Sequence, residues 1–217
     1  MSLGVAAGDR VGIWAPNCAE WVLVQYAAAK IGAILVNINP AYRTHELAYA
    51  LNQSGVRTLI CATAFKSSDY VAMARQVRSE ATRQKILDAA IEVFGEVGYA
   101  AAGWSTIIER TGMTKGALYH HFDSKESLAS NIIEEGSDTL LGAYRNVCGS
   151  SSPGLENIVH GSFTLVEVLS SDKTARAAAQ LATALSGFNE AASRFYANLV
   201  LETAQEARRA VKEGDLR

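Results

Sequence analysis

The hydrophobic pattern of this chain changes period near residue 70, and one sheet or one bundle cannot satisfy both halves. Before that point short β-like runs alternate with helical ones. Residues 10–16 (RVGIWAP) read as a strand closed by a proline, 33–38 (AILVNI) as an apolar strand stopped by Asn39-Pro40, and 57–62 (RTLICA) as a third strand. Between them, 18–31 is a helix with Trp21, Val22, Gln25, Tyr26 and Ala29 on one stripe, ended by Gly32. Residues 44–53 form a second helix, with Thr44 as its cap. Strand, helix, strand, helix, strand at this spacing predicts parallel pairing through crossover helices. Three strands and two helices cover only part of one side of such a sheet, so this piece reads as unfinished.

From Lys66 onward the pattern is almost wholly helical. A first helix over 83–95 aligns Ile86, Leu87, Ala90, Ile91 and Phe94. A long one over 125–147 turns Leu128, Ile132, Ile133, Leu140, Leu141, Tyr144 and Val147 inward. A loop over 149–154 (GSSSPG) precedes a helix over 155–169, with Leu155, Ile158, Val159, Phe163, Val166 and Leu169 facing in. Alanine-rich helices follow over roughly 174–187 and 190–213. The expected fold class is mostly α, carrying an N-terminal β-α-β-α-β fragment.

Composition narrows the function classes. A formal net charge of −2 excludes a uniformly basic nucleic-acid coat, so any DNA contact must come from a local patch. No apolar run reaches the ~18 residues of a membrane span, and MSLGVAAGDR lacks the plan of a secretory signal. Cys18, Cys61 and Cys148 are odd in number and lack metal-ligand spacing, as expected for reduced thiols of a cytoplasmic protein.

The chemistry-bearing segment is 104–126. WSTIIERT predicts a short helix, Gly112 supplies a turn residue that accepts positive φ, and Met113 plugs inward. Thr114 caps a two-turn helix, KGALYHHF, and the pair make a helix-turn-helix. Ala117, Leu118 and Phe122 face in, while the i, i+4 pairs Lys115/Tyr119 and Gly116/His120 share the outer face. A cation, an open backbone, a phenol and an imidazole suit major-groove reading. Asp123-Ser124-Lys125-Glu126 opens the long helix as an Asp-x-x-Glu cap, with Lys125 placed to meet phosphate. Arg75 and Arg78 precede the first helix as an arm suited to a minor groove. On spacing alone, an ordinary helical hairpin with a solvated Lys, Tyr and His fits equally well.

The stretch RSEATRQKILDAAIEVFGEVGYAAAGWSTIIERTGMTKGALYHHFDSKESLASNIIEE resembles the DNA-binding domain of TetR-family repressors, particularly the γ-butyrolactone-receptor-like branch. The likeness runs from Met73 to about Glu135. It implies a helix-turn-helix domain over 73–124 and a helical effector-binding, dimerising body over 125–217. It also implies that Thr114, Lys115, Gly116, Tyr119, His121 and Lys125 contact DNA, mainly phosphate, with His120 as a variable base reader; Arg78 and Ser105 are further candidate DNA contacts. The implied partners are a pseudo-palindromic double-stranded operator, a small apolar effector and a second copy of the chain, with neither membrane nor cofactor. Candidate effector-lining residues are Phe163, Phe188, Phe195 and Tyr196, plain core packing being the alternative. Where the family usually has Thr-Ser or Thr-Thr before the second helix, this chain has Ala102-Gly103, so a cap is expected to be missing. Two further helices usual in the family are expected to be absent.

Residues 4–72 (GDRVGIWAPNCAEWVLVQYAAAKIGAILVNINPAYRTHELAYALNQSGVRTLICATAF and flanks) resemble a segment near the N-terminus of AMP-forming acyl-CoA synthetases. No Ser/Thr/Gly-rich phosphate loop ending in Pro-Lys follows, nor the later nucleotide-holding acidic motif or catalytic lysine, so no enzyme activity is expected. His45 and Glu46 read as solvated helix positions rather than catalytic ones. Met73-Ala74-Arg75-Gln76 reads like a natural start, so the chain is expected to be a composite with a 1–72 passenger. The alternative to a repressor is a vestigial synthetase fragment fused to a helical domain.

Overall fold

The structure, a computed structural model, describes residues 3–148 and 152–216. Of the expected 149–154 loop, 149–151 lie outside the described residues. The chain divides into two compact units, one ending at Arg83 and one beginning at Gln84.

In the first unit, β1 (Arg10–Trp14), α1 (Ala19–Lys30), β2 (Ile34–Asn37), α2 (Thr44–Ser54) and β3 (Thr58–Cys61) form the expected alternation. The sheet order is β2-β1-β3, all parallel, with Arg10 opposite Ile34 and Val11 opposite Thr58. Its core gathers Trp14, Ile38, Leu47 and Tyr70. The Trp14 and Tyr70 rings stack at 3.9 Å between centroids. Their polar ends are satisfied: Trp14 Nε1 donates to Asn39 O at 3.0 Å, and the Tyr70 hydroxyl to Pro40 O at 2.5 Å.

Several local expectations change. The stripe read on α1 does not face the sheet: Val22, Gln25, Tyr26 and Ala29 are exposed, and Ala28 is the buried residue of the helix. Arg43, not Thr44, takes the N-cap position of α2, its N–H donating to a Glu46 carboxylate oxygen at 3.1 Å. A hairpin of β4 (Ala64–Phe65) and β5 (Ser68–Asp69) turns at Lys66, which has φ 53°, where helix was expected. The next helical stretch, α3 (Tyr70–Ala101), begins at Tyr70 rather than 83, so Arg75 and Arg78 are helix residues instead of an arm. Its path breaks at Gly98 (φ 76°, ψ 162°).

The second unit continues with α4 (Trp104–Thr111), α5 (Lys115–His121), α6 (Lys125–Cys148), α7 (Gly154–Ser171), α8 (Lys173–Leu185) and α9 (Glu190–Glu213). Helix α6 is the hub, packed by α7, α8 and α9, with Leu128, Ile132, Ile133, Leu140, Leu141 and Tyr144 buried as read from sequence. The core runs on into Ile86, Leu87 and Phe94 of α3, Ile107 of α4 and Leu118 of α5. Ser124, not Asp123, caps α6, its Oγ accepting from Ser127 N at 3.0 Å, because the helix starts one residue later than an Asp-x-x-Glu cap requires.

Helix α7 faces differently from its apolar pattern. Leu155, Val159, Phe163 and Val166 are exposed, while Gly154, Asn157 and Gly161 are buried. Small residues win the inner face because the helices approach closely. A Cβ at Gly161 would lie 2.4 Å from Tyr144 Cε2, and one at Gly154 2.7 Å from Ala210 N. Helix α6 meets α8 as closely, and there through backbone: a Cβ at Gly136 would lie 2.4 Å from Ala178 Cβ and 2.7 Å from Thr174 O. Backbone at that distance cannot rotate aside as a side-chain tip can. The variant Gly136→Val is expected to destabilise the helical unit by about 2 kcal/mol or more, read as a lower urea midpoint by circular dichroism. An unchanged midpoint would mean that α6 and α8 are not held at this spacing.

Candidate nucleic-acid interface

The recognition surface is set by what anchors α4 and α5 from behind. Helix α4 buries Ile107 and ends at Gly112, whose left-handed φ of 65° and ψ of 18° suit glycine. In the turn, Thr111 Oγ1 accepts from Met113 N at 3.1 Å and donates to Ile108 O at 2.8 Å. Met113 packs on the core. Thr114 caps α5, its Oγ1 accepting from Ala117 N at 3.3 Å. Leu118 and Phe122 then lock the inner face, with 0% and 2% exposure.

That leaves Lys115, Gly116, Tyr119 and His120 exposed together on α5. The Lys115 ammonium lies 5.7 Å from the Tyr119 ring centroid, and Tyr119 meets Trp104 edge-on at 5.8 Å. The rings of His120 and His121 are 5.3 Å apart and nearly perpendicular. His121 is half-buried. A Cβ at Gly116 would meet nothing within 4 Å, so the backbone there is open to an incoming surface. Ser105 and Thr114 are also exposed. Gly103 occupies the N-cap of α4 with no side-chain cap, the consequence expected from Ala102-Gly103. Arg78 belongs to the first unit, on α3.

Two cations are engaged internally. Arg110, on α4, bridges Glu92 at 3.1 Å and Glu96 at 2.7 Å on α3. Hydrogen bonds from Arg110 hold the Glu96 carboxyl below its usual range, and those same carboxylates raise the guanidinium further. Glu92 and Glu96 sit four apart on one helix face, a spacing that points to a shared cation and that sequence reasoning missed. Lys125 is placed differently from the expected phosphate contact. Its Nζ donates to Tyr99 O at 2.8 Å and Ala102 O at 2.9 Å, and lies 4.4 Å from the Tyr99 ring centroid. These carbonyls follow the Gly98 break, where no helix supplies them donors.

Of the candidate effector residues, the structure brings together Phe195 and Tyr196, with ring centroids 5.3 Å apart, but not all four. Phe163 and Phe188 are 71% and 69% exposed, Phe195 is buried in the core, and the Tyr196 hydroxyl pairs with Thr183 Oγ1 at 2.9 Å on the surface. No helix among the described residues is long and apolar enough to cross a membrane.

A family model described as bacterial regulatory proteins, tetR family, matches residues 86–132. CprB, a TetR family protein from S. coelicolor A3(2), is 30% identical over 64% of this chain and 70% of its own, with a TM-score of 0.55. The chain belongs to the TetR family. CprB has also been solved in complex with its biological operator sequence. The TetR family transcriptional regulator PfmR from Thermus thermophilus is 25% identical, covering 61% of this chain and 73% of its own, at a TM-score of 0.53. A second model, AMP-binding enzyme, matches residues 1–105 and overlaps the TetR match. Medium-chain acyl-CoA ligase ACSF2, mitochondrial, of Danio rerio is 45% identical over 80 residues, which is 37% of this chain. The chain spans 13% of that ligase's length. This TetR-family chain therefore carries an AMP-binding fragment ahead of its helix-turn-helix.

Removing the Lys125 clip leaves two partly buried carbonyls unpaired. Lys125→Met is expected to lower the stability of the helical unit by about 1–2 kcal/mol, read from thermal unfolding, whether or not DNA is present.

Proposed function

We propose that this chain is a sequence-specific DNA-binding transcriptional repressor, working as a homodimer on a pseudo-palindromic operator and released by a small apolar effector. The observation that carries the reading is helix α5, locked behind by Leu118 and Phe122 and presenting Lys115, Gly116, Tyr119 and His120 in front. A short helix that is rigid at the back and polar at the front is what a major groove accepts. The operator-bound structure of CprB supports the same use of this unit. In this reading Ser105, Thr114, Lys115, Gly116, Tyr119 and His121 position the helix on phosphates, Arg78 adds a contact from α3, and His120 reads a base edge. The functional division is 1–72 as passenger, 73–124 as reading head and 125–217 as effector body, in a cytoplasmic protein without cofactor. The γ-butyrolactone-receptor-like branch is the effector class that the sequence resemblance favours.

A second reading rests on the ligase match. The first unit is a vestige of an AMP-forming acyl-CoA synthetase, with the strand–helix frame but without the groups that neutralise a transferring phosphorus. His45 and Glu46 are exposed on α2, and Glu46 is engaged with its own helix start. Pyrophosphate release from ATP, fatty acid and CoA above background would overturn the view that this unit is inactive.

Selection of bound sequences from random duplex DNA with the full chain tests the repressor reading, which expects an enriched inverted repeat. Lys115→Ala is expected to weaken binding on every sequence and to reduce the slope of log affinity against log salt by about 1. His120→Ala is expected to keep that slope and change the preferred base at one position of each half-site. An unchanged motif removes His120 from base reading.

A further inference from the structure

A cleft of about 240 Å³ lies between α3 and α8 in the helical unit. Phe94, Ala177 and Leu181 form its buried floor, and the Tyr99 ring, 5.6 Å from that of Phe94, makes one wall. Gly95, Gly98 and Gln180 stand at its rim.

Gly95 is the informative residue. A glycine inside a helix costs about 1 kcal/mol relative to alanine, and a close helix approach is the usual reason to keep one. Gly136 and Gly161 have that reason, since a Cβ at either would collide at 2.4 Å. At Gly95 a Cβ would meet nothing within 4 Å, and its φ is not positive. With no side chain at Gly95, the cleft is open on that side.

The lining is two aromatic rings, small aliphatic groups and one amide that both donates and accepts. No charged side chain lines it among the described residues. A dry cavity of roughly 150 Å³ accepts benzene, so this volume admits a compact bicyclic molecule. We infer that the cleft is a binding site for a neutral ring compound bearing one hydrogen-bonding group, held between Phe94, Tyr99 and Leu181 and oriented by Gln180. The site itself stands on the cleft; its regulatory use rests on the ligand-responsive reading above. Asp88 on α3 and Lys173 on α8 pair at 2.8 Å at the far end of the same helix contact. A ligand that spreads α3 from α8 near Gly98 therefore tilts the back of the reading head about a tethered point.

The test uses indole as the probe on the 15N-labelled full chain, following the backbone resonances of Gly95 and Gly98 and the side-chain amide of Gln180. The result expected is saturable shifts centred on these three, weakened at least tenfold in Ala184→Phe, which fills the cleft from an exposed position on α8. Gly95→Leu, which fills it from α3, is expected to do the same. Absent or non-saturating shifts overturn the site, as do shifts of equal affinity in both filled variants. Operator binding measured on the same samples reports separately on the repressor reading, since DNA plays no part in the indole titration.

Discussion

Gly136 has no side chain, and the helical unit is built around that absence. With a Cβ there, α8 would have to back away from α6, and α6 is the helix on which α7, α8 and α9 all lean. The same device recurs at Gly161 against Tyr144 and at Gly154 against the backbone of Ala210. Close approach increases dispersion contact and excludes water, so these small residues supply the cohesion that leucines supply elsewhere in the core. The cost is directional: helices joined through glycine tolerate loss of bulk and resist its addition.

Much of the fold is legible in the sequence because its punctuation is chemical. Gly112 and Thr114 mark a turn that only a left-handed residue followed by a hydroxyl cap makes cheaply, and both serve as read. The parallel strands are visible as apolar runs between Pro and Gly stops. Helix α7 defeats the reading for the opposite reason: its apolar residues suggest burial, while its inner face is made of Gly154, Asn157 and Gly161. Tyr70 escapes notice because its neighbours carry no periodic signal. It is nevertheless the ring that stacks on Trp14 and closes the first core. Lys125 is misplaced by sequence because a long side chain has several partners within reach, and spacing along the chain shows none that lie 23 or 26 residues away.

The charge distribution of the head is asymmetric in use rather than in count. Arg110 is neutralised by two glutamates on α3, and Lys125 is satisfied by carbonyls, so both cations serve the shape of the head. Lys115 is instead exposed, over an exposed tyrosine ring, on a helix whose back is rigid. A near-neutral protein can present a cation locally in this way without a basic surface.

The Lys125 clip also fixes where the helical unit can be divided. By chain order the three-helix head ends at the loop before α6, and a cut after Ser124 is the obvious one. That cut would remove the ammonium group on which Tyr99 O and Ala102 O depend and return the connection between α3 and α4 to solvent. The first turn of α6 is thereby tied into the head. Excision at the loop would yield a fragment with all three helices and a loosened angle between the first two.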